Sequence, residues 1–488
     1  VRHFVLHSGL PSKAWLAQAR QGQAQYFIQC MDQIGEQEMD AATVRARRWC
    51  QIEIENLAVA IEHNRLVDSA VAASMVCKIL CCLWNNGYVD QAKHWIKTVV
   101  AVANVKLINQ DEDRLRLFDL HFIANYGRVI DAEELVNREL KNFELEFPLS
   151  IPKVALISFC LQYLRRVLGH YDQAYALGRR MWESSNHAHV DQLLRHEAAI
   201  QWAGILVAVG EFDQLDRFLN EYRSVRQTSK DKLQLAVYSA TSLAMQGRFR
   251  NAIDTIDTIT TSIGERSGIF WATCKCTIGL LAIDFGRIKL AEACLEDVDA
   301  SLNGRNFSGN MEVLRKQLEI FVEVLSRKAA HRAVSAALVA MPDFESTSAR
   351  CEWIGVCIEV TLLAGDLAAA NIFVKMYCDR LCPLTFLRSF RVAEALGGYA
   401  MLLGESSKAN AFYSVANLAR RMTNGKMLPI HADLRKKVGA TTATCEGCEI
   451  FANLVLADLS GKRFWQLVSA RAQELIAVYE NKTSLKLG

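Results

Sequence analysis

The sequence predicts an all-α superhelix of stacked helical hairpins. Three observations carry this: the chain outgrows a single hydrophobic core, helix breakers are scarce, and a short glycine-to-alanine pattern returns about every forty residues.

The chain has 488 residues. A single core stops growing well below that length, so the chain either divides into globular domains or extends as a repeat. Composition favours the repeat. Six prolines (Pro11, Pro148, Pro152, Pro342, Pro383 and Pro429) interrupt it, while Leu, Ala, Val, Arg and Glu, which suit helices, are abundant. Lys plus Arg number 56 and Asp plus Glu 53, a formal charge of +3. Such a chain has no global field to draw in nucleic acid or an anionic membrane. No apolar run is long enough for a transmembrane helix. The opening stretch from Val1 to Leu10 is too short and polar for a signal peptide, and a start at Val1 reads as a fragment. The fifteen cysteines include Cys77, Cys81 and Cys82 on the apolar side of a helical pattern and the pair Cys274 and Cys276. This is not the spaced framework of a small secreted domain. Reduced core thiols in a cytoplasmic protein are expected.

The repeated pattern is Gly, any residue, apolar, two of any kind, Ala. It runs from Gly87 to Ala92, Gly127 to Ala132, Gly169 to Ala174, Gly247 to Ala252, Gly286 to Ala291 and Gly365 to Ala370. Gly210 to Leu215 has Leu in the Ala place, and Gly404 to Ala409 keeps the ends without the apolar residue. Up to Gly286 the glycines are 40, 42, 41, 37 and 39 apart. A gap of 79 to Gly365 holds a member without glycine at Arg327 to Ala333, and Gly365 to Gly404 is 39 again. The last interval, 57 residues to Gly461, contains an insertion.

Each glycine follows an amphipathic run, such as Ser74 to Trp84 or Leu233 to Met245, and each alanine opens another. Glycine takes the left-handed residue that ends a helix. The apolar residue docks into the hairpin, and the alanine allows the second helix to cross the first closely. A lone hairpin cannot bury its apolar face, so hairpins stack into a solenoid with a concave surface.

The Gly-x-aromatic-x-x-Ala turn resembles the tetratricopeptide repeat, with a longer period. The expected fold is a right-handed α-solenoid of that type, with about nine to eleven hairpins. The stretch Glu53, Asn56, Leu57, Ala60 resembles the Glu-x-x-Asn-Leu-x-x-Ala segment that opens the helical arm of STAND-type regulators. These are bacterial signal-transduction ATPases with LuxR-like or other DNA-binding domains. Trp84, Gly87 and Trp95 match that family's next hairpin in type and spacing. The resemblance covers residues 45 to 100 and implies a sensor arm that binds an inducer or partner protein and controls a nucleotide-binding core. The core's Gly-x-x-x-x-Gly-Lys-Ser/Thr phosphate loop is not found in this sequence, nor is a DNA-binding helix-turn-helix, so ATPase and DNA-binding activity are not carried over.

The expected organisation is a linking helical segment over 1–64, the repeat array over 65–422, a basic loop insertion over 423–446 and a capping hairpin over 447–488. The insertion region sets Arg420, Arg421, Lys426, Arg435, Lys436 and Lys437 against Asp433. It is a solvated connection or a site for an anionic partner. His121, Tyr163 and Arg166 fall where first helices face the groove and are the expected ligand contacts. Cys445-Glu-Gly-Cys448 is a lone CxxC with His431 upstream, short of the four ligands zinc needs, and reads as a helix start with half-buried thiols. His187, His189 and the pair His196-Glu197 lack the second histidine of a zinc protease motif. No general acid is assembled with a base. No enzyme, metal or cofactor is therefore expected. The expected function is a sensor or scaffold arm whose groove takes a peptide, a protein segment or a small inducer, without direct contact to nucleic acid or membrane. The alternative is a free-standing adaptor between proteins.

Overall fold

At Gly247 the chain turns as the repeat requires. The glycine has φ +80°, its N–H donates to the Ala244 carbonyl, and the Arg248 N–H donates to the Leu243 carbonyl. This paired closure of a helix end recurs at Gly210, Gly286, Gly365 and Gly404. Five residues on, Ala92, Ala174, Leu215, Ala252, Ala291, Ala370 and Ala409 are all fully buried. The apolar residue between them is more varied: Phe212 is buried, whereas Phe249, Ile288 and Leu367 are half-buried. Phe249 instead stacks on Phe285 across the turn, ring centroids 4.5 Å apart.

The computed structural model describes residues 13–35, 44–86, 88–102, 115, 134, 171–185, 192–222, 229–263, 269–302, 310–326, 335, 347–379, 386–422, 426–440, 446–456 and 462–487. Among these residues the fold is helical throughout, without a strand. The chain divides into two compact units, Val1–Phe122 with Thr228–Lys230, and Ile123–Gln227 with Asp231–Gly488.

The first unit holds α1 (Lys13–Ile34), α2 (Val44–Val67), α3 (Ser69–Asn85) and α4 (Val89–Val102), each packed on the next. Its core is rich in small residues and thiols: Cys50, Ala60, Ala72, Ala73, Cys77, Cys82 and Leu83 are buried. In the stretch that resembles the STAND arm, Asn56 donates to Glu53 at 2.8 Å on the exposed face of α2 while Leu57 and Ala60 face inward.

The second unit begins with α5 (Tyr171–Ser185), α6 (Gln192–Val209), α7 (Phe212–Tyr222), α8 (Ser229–Met245, from Asp231 on) and α9 (Phe249–Ile263). Then come α10 (Ile269–Asp284), α11 (Ile288–Leu302), α12 (Asn310–Leu325), α13 (Thr347–Ala364), α14 (Leu367–Cys378), α15 (Phe386–Leu402) and α16 (Ser406–Met422). Second helices are amphipathic: α7 buries Phe212, Leu215, Phe218, Leu219 and Tyr222 along one stripe. First helices are covered on more sides, and every residue from Val356 to Leu362 in α13 is buried. Stacking explains the difference. α10 packs on α12, α12 on α13 and α13 on α15, while α11, α14 and α16 pack on their own first helices. That is the nearest-neighbour stacking of a solenoid. In addition α6 reaches α15 directly.

The segment expected as a basic loop over 423–446 contains a helix, α17 (Pro429–Lys437). Pro429 stands in its first turn and Gly439, at φ +69°, closes it. Arg435, Lys436 and Lys437 occupy its last turn, where the helix dipole favours cations. The basic run thus marks a helix end. Finally α18 (Glu446–Leu456) packs on α16, and α19 (Lys462–Leu487) packs on α14 and α18.

Ten described cysteines stand outside any disulfide, all buried except half-buried Cys30. Burial pushes the Cys294 thiol up to about 11, which makes it an unreactive core group. Cys448 corrects the expectation of reduced thiols, because it is disulfide-bonded.

Candidate functional site

Most core positions of the second unit are apolar, and one group of buried charged residues converges. α10 ends at Asp284, α13 carries Glu359 within an apolar run, and α15 carries Arg391 and Glu394 one turn apart. These first helices form the seat of α17, which packs on α10, α13 and α15.

The short helix presents one face to this seat. Ile430, His431, Leu434 and Arg435 are buried, while Ala432, Asp433, Lys436 and Lys437 are exposed. The spacing i, i+1, i+4, i+5 is one stripe of a helix. Gly398 of α15 lies under Leu434, at ordinary packing distance from the leucine. At the near end, the Lys426 N–H donates to the Met245 carbonyl at the end of α8 (2.9 Å). At the far end, the Lys437 ammonium donates to the Leu363 carbonyl.

Charge completes the seat. Arg435 forks onto Glu394, Nε to Oε2 at 2.9 Å and Nη2 to Oε1 at 2.7 Å, and also donates to Asn417 at 3.1 Å. Arg420 of α16 donates to the same carboxylate at 2.5 Å and to Asn417 at 3.2 Å. Arg391 bridges Asp284 at 2.7 Å and Glu359 at 2.9 Å. Burial is the largest influence on Arg391 and works against its charge, yet the two carboxylates outweigh it and raise its pKa further. His431 sits between the two clusters, with Nδ1 3.4 Å from Arg420 and Nε2 3.6 Å from Glu359. Burial first, then Arg391, Arg420 and Arg435, hold its pKa well below the usual imidazole range, so the ring is neutral. Aromatic faces back the cations: Arg435 lies 4.2 Å from the Tyr413 ring centroid and Arg420 5.4 Å from that of Phe390.

The six basic residues expected as one anionic-partner site therefore divide. Arg420 and Arg435 are buried and already matched by Glu394. Lys426, Lys436 and Lys437 are exposed along the strap, and exposed Arg421 lines an open cleft with Asn417, Glu449 and Asn453 between α16 and α18. The expected groove residues His121, Tyr163 and Arg166 lie outside the described residues, as do His187, His189 and Cys445. His196 is buried. Its Nδ1 lies 2.8 Å from the Tyr222 hydroxyl and 3.0 Å from Asp231, a polar junction of α6, α7 and α8.

Sequence reasoning missed Asp284, Glu359, Arg391 and Glu394. A signal was present: each is a charge set in a mostly apolar helix, and a charge there must find a partner. Chemically the arrangement holds a guanidinium-bearing helix, that of α17. Among the described residues no group of three or more His, Cys, Asp or Glu is placed to hold a metal ion, and no helix is long and apolar enough to cross a membrane.

No protein-family model matches the chain, and no curated protein matches it. Among solved structures it is similar to one described as the crystal structure of Rap protein complexed with competence and sporulation factor. Identity is 12%, 76% of this chain and 99% of that chain are covered, and the TM-score is 0.46.

Proposed function

We propose that the chain is a binding arm whose first-helix face receives a protein or peptide segment. One observation carries the reading: the face formed by α10, α13 and α15 is built to hold a helix, since it seats α17 through apolar contacts and carboxylate–arginine forks. Stacked hairpins suit this task because they offer a long surface of uniform backbone on which only the side chains vary.

The resemblance of residues 45 to 100 to the arms of STAND-type regulators supports a finer role. On this reading the arm senses its ligand and regulates an attached ATPase and transcription-regulator core, in the cytoplasm. Binding acts on that core through a difference in affinity between two arrangements of the arm. No catalytic role is proposed.

Two measurements test this. Material that co-purifies with the intact protein is identified by mass spectrometry, and the complex is mapped by hydrogen exchange. Protection gained in α10, α12, α13 and α15 is expected. Protection gained only in the second helices α11, α14 and α16 removes the reading. For the attached core, a phosphate loop encoded ahead of Val1 is expected, and a gene without one leaves an adaptor between proteins.

A further inference from the structure

We infer that α17 is a built-in occupant of the binding face and that the partner which replaces it is an amphipathic helix carrying an arginine next to an apolar i, i+4 pair. The inference rests on the first-helix face being the binding surface.

The seat does not match an ordinary core helix. α17 has nine residues, and a helix that short does not hold its shape alone in water. It is helical because the face holds it. Two of its four buried residues, His431 and Arg435, are polar. Burying them is costly unless each meets a specific partner, so the face is matched to this pattern rather than to apolar surface in general.

The charges then state what an occupant must bring. Among the described residues of the seat, Asp284, Glu359 and Glu394 face Arg391, Arg420 and Arg435. Five of these six stay with α10, α13, α15 and α16 when α17 leaves. Of these six only Arg435 leaves, and with it goes the two-point fork on Glu394. A replacing helix must return a guanidinium to that carboxylate, beside side chains that fill the places of Ile430 and Leu434. An ammonium lacks the planar fork that Glu394 and Asn417 accept together. An acidic or purely apolar helix leaves Glu394 facing Arg420 in a gap.

Covalent attachment gives α17 an effective concentration that a free peptide of the same sequence cannot match. The native chain is therefore closed to weak ligands, and opens to a partner that makes the same contacts and further ones along α12 and α13.

The test uses the full chain and a fluorescein-labelled peptide with the sequence of residues 423–440. Leu434→Asp places a carboxylate against α15 and releases α17. The peptide is expected to bind this variant at least tenfold more tightly than it binds the wild-type chain. A peptide with Gln in the place of Arg435 is expected to lose at least tenfold on the same variant. Circular dichroism checks that Leu434→Asp is folded, and Leu434→Ala replaces it if it is not. Equal binding to wild-type and opened chains overturns the cover. Equal binding of the Arg and Gln peptides overturns the charge requirement. A dimer of the wild-type chain held through exchanged α17 segments, seen by light scattering, would make a second copy the occupant and also overturns the inference. If the peptide fails while hydrogen exchange still places a partner on α10, α12, α13 and α15, only the inference falls; if partner protection is also confined to second helices, the binding-arm reading falls with it.

Discussion

The turns of the repeat and the seat of α17 solve the same packing problem by opposite means. At the turns a helix crosses its neighbour over a side chain that is nearly absent: Ala252, Ala291, Ala370 and Ala409 are fully buried and carry no polar group. At the seat, helix meets helix over Asp284, Glu359, Glu394, Arg420 and Arg435, all buried and all charged. Apolar crossings tolerate many sequences of suitable volume. A buried ion cluster stabilises little beyond what apolar residues of the same shape would, and removing one member is severe. The turns therefore build the array, and the seat fixes one particular helix on it.

Glu394→Gln should have the largest effect on stability. It leaves Arg420 and Arg435 buried without their shared carboxylate, and a loss of about 3–5 kcal/mol is expected. Urea denaturation measures it, and a loss under about 1 kcal/mol would show that water reaches the cluster. Ala252→Trp comes next. Overpacking at the crossing should cost about 1–3 kcal/mol or more, and an unchanged midpoint would mean that the crossing has room.

The smallest effect is on pH dependence. His431 is neutral in the folded chain because its pKa is depressed. Unfolded, it titrates near 6.5. Below that pH the unfolded chain binds a proton that the folded chain does not, so stability falls as pH falls, by at most about 1.4 kcal/mol per pH unit. Above it the contribution is complete. Denaturation midpoints at about pH 7 and about pH 5.5 should drop less in His431→Gln than in the wild type. An equal drop would assign the effect to another group.

The array was legible in the sequence because its turns depend on local chemistry. Glycine at positive φ and alanine five residues later can be read without knowing any partner. The seat was not legible for the converse reason. Arg435 and Glu394 are 41 residues apart and Arg391 and Asp284 are 107 apart, so no window of sequence holds both halves of a pair. The run Arg435, Lys436, Lys437 read as a solvated loop because two of the three are solvated; only Arg435 turns inward. Glu359 and Glu394 are charges set in mostly apolar helices, and following each to its necessary counter-ion leads to the seat. The Glu53–Asn56 pair was legible as a resemblance, and the fold shows it to be an exposed one-turn bond.

The Lys426 to Met245 hydrogen bond and the contact of α6 with α15 have a consequence for how the second unit comes apart. A stack with only nearest-neighbour contacts is a zipper: it frays from its ends, and its middle survives alone. Here the strap ahead of α17 clasps α8, and α6 meets α15, so hairpins far apart in the chain are fastened to one another. Opening either end breaks that clasp early. The penalty for fraying is concentrated in the first step, and contacts of long sequence separation also slow the closing of the loop during folding. Melting of the second unit is therefore expected to be more cooperative than that of a stack with nearest-neighbour contacts alone.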